Sequence, residues 1–321
     1  MKQFLSLMAL MLACLVAFSG SESAAQAPVE GRTQQASKSE FPSAEKLLHA
    51  ASASLLRSSS FKCKVFFQNA MFGQVTTAEG YYLNKGQGSG KSKLHIAFGD
   101  QATRPIQITQ VCNGRYNFCL TLGGEKPTFE FVDLLQIAQS DHREHVANPT
   151  AWMTTGGITS LLEHASRSLE FQPVREYSRA DKSVWHLRGT WKKDALKRFF
   201  GPSVNHQWIE NHKKWHKLPG QLPHVFEFHL ARDPAFKLIP LQIDFLQLQE
   251  KDDSTEMKKV LSIQLQNFEM VAEMSEEHFK INDENVAPVD VTDLFMARVQ
   301  QNYSNGTNSR RTAETGAQPK R

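Results

Sequence analysis

Between Phe61 and Leu122 apolar and polar residues change places at every second position, and turn residues break the alternation at short intervals. Phe61, Cys63, Val65 and Phe67 alternate with Lys62, Lys64, Phe66 and Gln68. A period of two belongs to a strand with one buried face. Residues 73–83 read as an antiparallel partner, and residues 93–98 as a third strand after the loop Gly86-Gln87-Gly88-Ser89-Gly90. Residues 106–111 and 116–122 flank Asn113-Gly114, a pair that predicts a tight hairpin in which both turn residues take positive φ. Residues 128–132 continue the meander. Connections this short require antiparallel neighbours.

A helix precedes this block. Ser43 stands where an N-cap belongs, Glu45 falls in the first turn, and Ala44, Leu47, Leu48, Ala51 and Leu55 follow helical spacing. After Asp133 the period becomes helical again: Leu134, Leu135 and Ala138 share one face, and so do Ile158, Leu161, Leu162 and Ala165. Strand patterns return at 171–177 and 184–191, a basic and aromatic helix is expected over 192–217, and further strands over 225–230, 239–248 and 260–268. Phe279 with Ile281 suggests a last short strand, and 290–299 a terminal helical turn. The expected fold is mainly β with helices (α+β), a curled antiparallel sheet covered on one side by helices.

The chain opens with Lys2, an apolar run over 4–18 and the A-x-A site Ala25-Gln26-Ala27, which reads as a signal peptide over 1–27. Cleavage after Ala25 is the second choice, because Pro28 follows Ala27 directly. The run is short for a membrane span. Met11-Leu12-Ala13-Cys14 loosely resembles a lipobox, which makes a lipid anchor on Cys14 the alternative, although Leu15 to Phe18 carry the apolar run past it. Polar residues 28–40 read as a flexible leader and 303–321 as a disordered tail, leaving a domain over 41–302 with a helical insertion at about 133–220.

A net charge of +4 spread over 321 residues is too small to imply a nucleic-acid footprint, and no nucleic-acid partner is expected. Beyond the signal, Cys63, Cys112 and Cys119 are too few for a disulfide scaffold and read as small buried residues. His212 and His216 stand at i, i+4, but His-Lys-Lys-Trp-His lacks the glutamate of a zinc peptidase helix, and His142 with His145 is a looser pair. Neither a metal site nor a cofactor is expected, and no nucleophile–base pattern marks a catalytic residue. Within 192–217, Lys192, Lys193, Lys197, Arg198, Lys213, Lys214 and Lys217 outnumber Asp194 and Glu210 and are interleaved with Phe199, Phe200, Trp208 and Trp215. Such a stretch suits transient contact with an anionic membrane or a membrane protein through 191–217; lysines turned to water on an ordinary helix are the plainer alternative.

The order of segments carries a resemblance. The leading helix is followed by Ser58-Ser59-Ser60-Phe61-Lys62-Cys63-Lys64-Val65-Phe66-Phe67-Gln68, then Glu79-Gly80-Tyr81-Tyr82-Leu83-Asn84-Lys85 and Val111-Cys112-Asn113-Gly114-Arg115-Tyr116-Asn117-Phe118. His278-Phe279-Lys280-Ile281 and Val289-Asp290-Val291-Thr292-Asp293 stand near the end. In this order the motifs resemble the LolA/LolB family of periplasmic lipoprotein carriers and their secreted relatives. The resemblance implies a curved antiparallel half-barrel under a helical lid, and non-catalytic periplasmic carriage of a lipid or lipoprotein acyl chain in a hydrophobic cavity. It assigns the inner, lipid-binding wall to Phe61, Val65, Phe67, Phe118, Leu120, Phe129, Phe131, Leu241, Ile243 and Phe245, and the lid contact to Lys85. Where the family often has Arg-Pro, this chain has Lys85-Gly86, and lysine lacks the forked contacts of arginine. The alternatives are a secreted scaffold of the same fold with a filled core, acting through its surface, and a metal-dependent hydrolase.

Overall fold

In the computed structural model, residues 41–70, 75–99, 106–123, 126–140, 152–153, 155–179, 182–200, 204–218, 222–233, 238–251, 254–281 and 283–297 are described. The expected signal peptide, leader and tail, and the pair His142 and His145, lie outside them.

Helix α1 (Ala44–Arg57) starts where Ser43 caps it, its side chain accepting from the Lys46 amide. Strands β1 (Phe61–Asn69), β2 (Thr76–Asn84), β3 (Lys91–Phe98), β4 (Ile106–Asn113), β5 (Tyr116–Leu122) and β6 (Thr128–Asp133) follow as a meander. Asp133 ends β6 and caps α2 (Leu134–Gln139), accepting from the amides of Leu135 and Gln136. After α3 (Gly157–Ser168) come β7 (Leu169–Phe171), β8 (Arg175–Arg179) and β9 (Lys182–Trp191). Helices α4 (Lys193–Phe200) and α5 (His206–Glu210) and a 3₁₀ helix (His212–Lys217) lead to β10 (Val225–Ala231), β11 (Pro240–Lys251) and β12 (Ser254–Met270). A second 3₁₀ helix (Glu276–Phe279) and β13 (Val289–Asp290) follow, and residues 292–297 form the expected terminal helical turn.

The strands form one open sheet in the order β13-β6-β5-β4-β3-β2-β1-β12-β11-β10-β9-β7, with β8 also on β9. All pairings are antiparallel except that of β13 with β6, a two-residue clasp on the edge. The sheet is a half-barrel with a helical lid, and bulges bend its centre. The β1–β12 register shifts between Lys62 and Lys64, opposite Asn267 at φ 53°, and further shifts fall between Phe245 and Leu246 and between His229 and Leu230. An extra residue on one strand kinks it and raises the local twist.

The register defines two faces. Phe61, Val65 and Phe67 share theirs with Leu94 and Ile96 on one side and with Ile263, Ile243 and Phe228 on the other. This inner face packs against α1 and α3 in one core, to which Leu48 and Leu55 and then Ile158, Leu161 and Leu162 contribute. Trp152, Trp191, Phe226 and Phe245 form an aromatic chain inside it, and the Trp191 indole N–H donates to the Pro223 carbonyl at 2.7 Å. A smaller core on the outer face joins Leu83, Val111, Met274 and Phe279.

Several sequence expectations change. Phe279 lies not in a strand but in the 3₁₀ helix that crosses the outer face, buried against Leu83 and Val111. In the hairpin, Asn113 remains strand and Gly114 alone takes positive φ, at 96°. The Asn113 carboxamide oxygen instead accepts from the amides of Arg115 and Tyr116 at 3.0 and 2.8 Å and closes the turn. The 171–177 strand divides into β7 and β8 around Pro173, which has no N–H for a ladder. The single helix expected over 192–217 is three short ones, because Asn205 and Asn211 each restart the chain as side-chain caps. The stretch expected as a helical insertion thus holds α2 to α5 but also β7, β8 and β9, which extend the sheet.

Candidate functional site

A cavity of about 600 Å³ opens at the end of the half-barrel where α1 and α3 meet the β2–β3 loop and the β4–β5 turn. Ser52, Ala53 and Leu56 of α1 form one wall, and Thr159, Ser160 and Glu163 of α3 the opposite one. The floor comes from Asn84, Ser92 and Cys112 on the inner face of the sheet, and Leu134 of α2 closes one side.

The glycine-rich loop builds the third wall by finishing α1. Helix ends leave carbonyls without partners. Here the Gly88 amide donates to Leu56 O at 2.7 Å, the Gln87 amide to Ser58 O at 3.0 Å, and the Asn84 side chain to Leu55 O at 2.7 Å. Gly86 makes this curl possible. It takes φ 61°, and a Cβ there would stand 2.0 Å from the Ser58 carbonyl oxygen.

At the rim, His49 Nδ1 lies 3.1 Å from Glu163 Oε2 and ties α1 to α3, while Arg167 pairs with the other carboxylate oxygen. The Ser52 hydroxyl donates to Thr159 O at 3.3 Å, the Ser89 hydroxyl to Gly86 O at 2.7 Å, and Thr155 shares a hydrogen bond with Ser160 at 3.0 Å. Burial pushes the Cys112 thiol above its ordinary pKa, which disfavours the nucleophilic thiolate. The walls therefore offer hydrogen bonds and apolar surface, the chemistry of holding a ligand.

The structure divides the ten expected wall residues between both faces. Phe61, Val65, Phe67, Ile243 and Phe245 are buried on the inner face, and Leu241 is half-buried on the same strand face. Phe118, Leu120, Phe129 and Phe131 pair with one another on the outer face, because Asn117, Cys119 and Thr121 take the inward positions of β5. Phe118 packs there against the smaller core. A single inner wall made of all ten is thus corrected to six inward and four outward residues. The 600 Å³ cavity is lined by other side chains.

Lys85 directs its ammonium to Glu276, which Lys91 also contacts. Phe199, Phe200 and Trp215 are buried and Trp208 is half-buried, so the aromatics of 191–217 point into the protein. Lys193 and Lys197 pair with Glu210, while Arg198, Lys213 and Lys217 are exposed. His212 and His216 fall in a 3₁₀ helix, where three residues make a turn and positions four apart leave a common face. Cys63, Cys112 and Cys119 form no disulfide among the described residues, the first two being buried and the third half-buried; burial raises the Cys63 pKa to about 12.

Sequence reasoning did not single out Ser52, Ala53, Thr159, Ser160 and Glu163. Their signal is positional: each stands beside the apolar stripe of its helix, at the margin where packing gives way to open space.

No protein-family model and no curated protein matches the sequence. Among solved structures, the chain is similar to MucB at 15% identity and a TM-score of 0.38, over 75% of this chain and 63% of that one, so it spans less than two thirds of MucB. It is similar to a LolA superfamily protein from Nitrosomonas europaea at 11% identity and a TM-score of 0.28, over 74% of this chain and 97% of that one. A third similar structure is an outer membrane lipoprotein-sorting protein domain from Vibrio parahaemolyticus, at 9% identity and a TM-score of 0.35, over 74% and 97% of the two chains.

Proposed function

We propose that this protein binds the acyl chain of an exported lipid or lipoprotein and carries it without catalysis, receiving it at the cavity between α1 and α3. The cavity carries this reading. Its volume of about 600 Å³ lies within the range of about 300–1,000 Å³ typical of small-ligand sites. Ala53, Leu56 and Leu134 supply apolar wall, and serine and threonine hydroxyls, His49, Asn84 and Glu163 supply polar lining, a division that suits an amphiphile with a polar end. Each methylene taken from water contributes about 0.8 kcal/mol, so a dozen supply roughly 10 kcal/mol before ordering costs. Beneath the two helices lie Phe61, Val65, Phe67, Ile243 and Phe245, apolar surface that a longer chain reaches as the helices separate. The exposed Arg198, Lys213 and Lys217 are the part of 191–217 that meets an anionic membrane during delivery.

One observation favours the scaffold reading instead: the helices and the inner face already form one continuous core. Native mass spectrometry of protein from its own envelope, paired with displacement of a fluorescent fatty-acid probe, separates the two. The carrier reading expects co-purified lipid that competes with the probe. A bare protein that leaves the probe free in solution sinks it.

A further inference from the structure

On the outer face, away from the cavity, the sheet assembles a second polar group. Strand period places Glu227 and His229 on one face of β10, and His186 and Arg188 on the same face of β9. The antiparallel register then sets His229 directly opposite His186, and Glu227 opposite Arg188. The two imidazoles stack with centroids 4.8 Å apart and planes 14° from parallel. One ring nitrogen from each histidine and one carboxylate oxygen of Glu227 lie within 4.8 Å of one another.

The neighbours orient these groups. His229 Nδ1 is 2.7 Å from the Tyr177 hydroxyl, so with its Nδ1 proton directed to the tyrosine oxygen the ring keeps a free lone pair on Nε2. Arg188 holds Glu227 Oε1 at 3.2 Å, while Oε2 faces His186 Nε2 at 3.9 Å. That His186 nitrogen is buried and, among the described residues, has no hydrogen-bond partner. A buried polar atom without a partner is costly, and here it lies among the other two donors. Asp244, opposite Glu227 on β11, is buried and held by Ser262, Gln242 and Lys259.

The geometry points to a divalent metal site formed by His186, Glu227 and His229, suited to a late first-row ion such as zinc. Two imidazole nitrogens and one carboxylate oxygen are a common zinc set that leaves a fourth position for water. Tetrahedral zinc with ligands at about 2.0–2.2 Å holds them about 3.3 Å apart. Closing the observed spacing to that value requires the two imidazoles to turn out of their parallel stack. Imidazole donors favour zinc or copper over calcium and magnesium, which prefer oxygen.

The test uses untagged full-length protein and zinc alone, by equilibrium dialysis with metal analysis, and then cobalt(II) for its visible bands. One equivalent of zinc, four-coordinate cobalt bands, and at least tenfold weaker binding by both His186→Gln and the isosteric Glu227→Gln support the site. His212→Ala/His216→Ala retains wild-type binding. Absence of binding by the wild-type protein, equal binding by both site variants, or loss in the His212/His216 variant instead overturns the assignment. Far-ultraviolet circular dichroism confirms that each variant is folded, and Glu227→Gln preserves side-chain shape where a histidine replacement disturbs packing.

Discussion

Gly80 and His95 touch through their backbones: a Cβ on Gly80 would stand 1.7 Å from the His95 carbonyl oxygen. Gly80 pairs with Val65 on one side and Ile96 on the other, in the middle of the meander. Even a methyl group forces β2 and β3 apart. Gly80→Ala is expected to lower stability by about 3 kcal/mol or more, beyond the usual cost of overpacking, as read from the midpoint of a urea titration at unchanged slope.

The loop that finishes α1 makes a graded pair of predictions. Asn84→Leu removes one of two side-chain donors to the Leu55 carbonyl, the Ser58 hydroxyl remaining at 3.2 Å, and is expected to cost about 0.5–1.5 kcal/mol. Gly86→Ala costs more, because it meets both a left-handed backbone and the Ser58 carbonyl oxygen. Thermal unfolding of the two variants side by side gives the order.

Two buried histidines set an acid limit. His164, stacked on Trp152, and His224, whose Nδ1 accepts from the Leu248 amide, are both held down to about 4, chiefly by burial. Nearby Arg167 adds to the effect at His164 and His216 at His224. Below pH ~6.5 the unfolded chain takes up protons that the folded protein refuses. The stabilisation is complete above that pH, declines as pH falls, and levels off below about 4; it amounts to on the order of 2–3 kcal/mol per histidine. Urea midpoints measured from pH 8 to pH 4 should trace this decline, and His164→Phe should flatten its share.

Filling the cavity separates binding from stability. Ala53→Trp projects an indole into the space between α1 and α3 and is expected to weaken fatty-acid probe binding at least tenfold with a nearly unchanged melting temperature. His49→Ala, at an exposed rim position, is expected to change stability by less than about 0.5 kcal/mol.

The positions of the strands along the chain were largely legible in the residues. The alternation at Phe61 to Phe67 and the apolar stripes of α1 and α3 follow directly from burial of one face. Which face a strand turns inward was harder. On β5 the aromatic and aliphatic Phe118 and Leu120 suggested the inner wall, yet Asn117, Cys119 and Thr121 point inward. That reversal comes from residues 271–281, which provide an apolar cover on the outer side that no local pattern in β5 could reveal. The His186–His229 pair was hidden for a related reason. Pattern reading favours ligands close in sequence, whereas these meet only through the β9–β10 register.

The clasp of β13 on β6 bears on how exposed that edge of the sheet is. The Val291 amide reaches the Phe131 carbonyl at 3.0 Å, and the Asp133 amide reaches the Thr292 hydroxyl at 2.8 Å. A few residues thereby occupy the ladder at the β6 edge, next to Phe129 and Phe131. Bare ladders beside aromatic side chains template strand addition between molecules. By covering that ladder, the clasp leaves β6 with a partner on both sides and removes it as a template for a further strand.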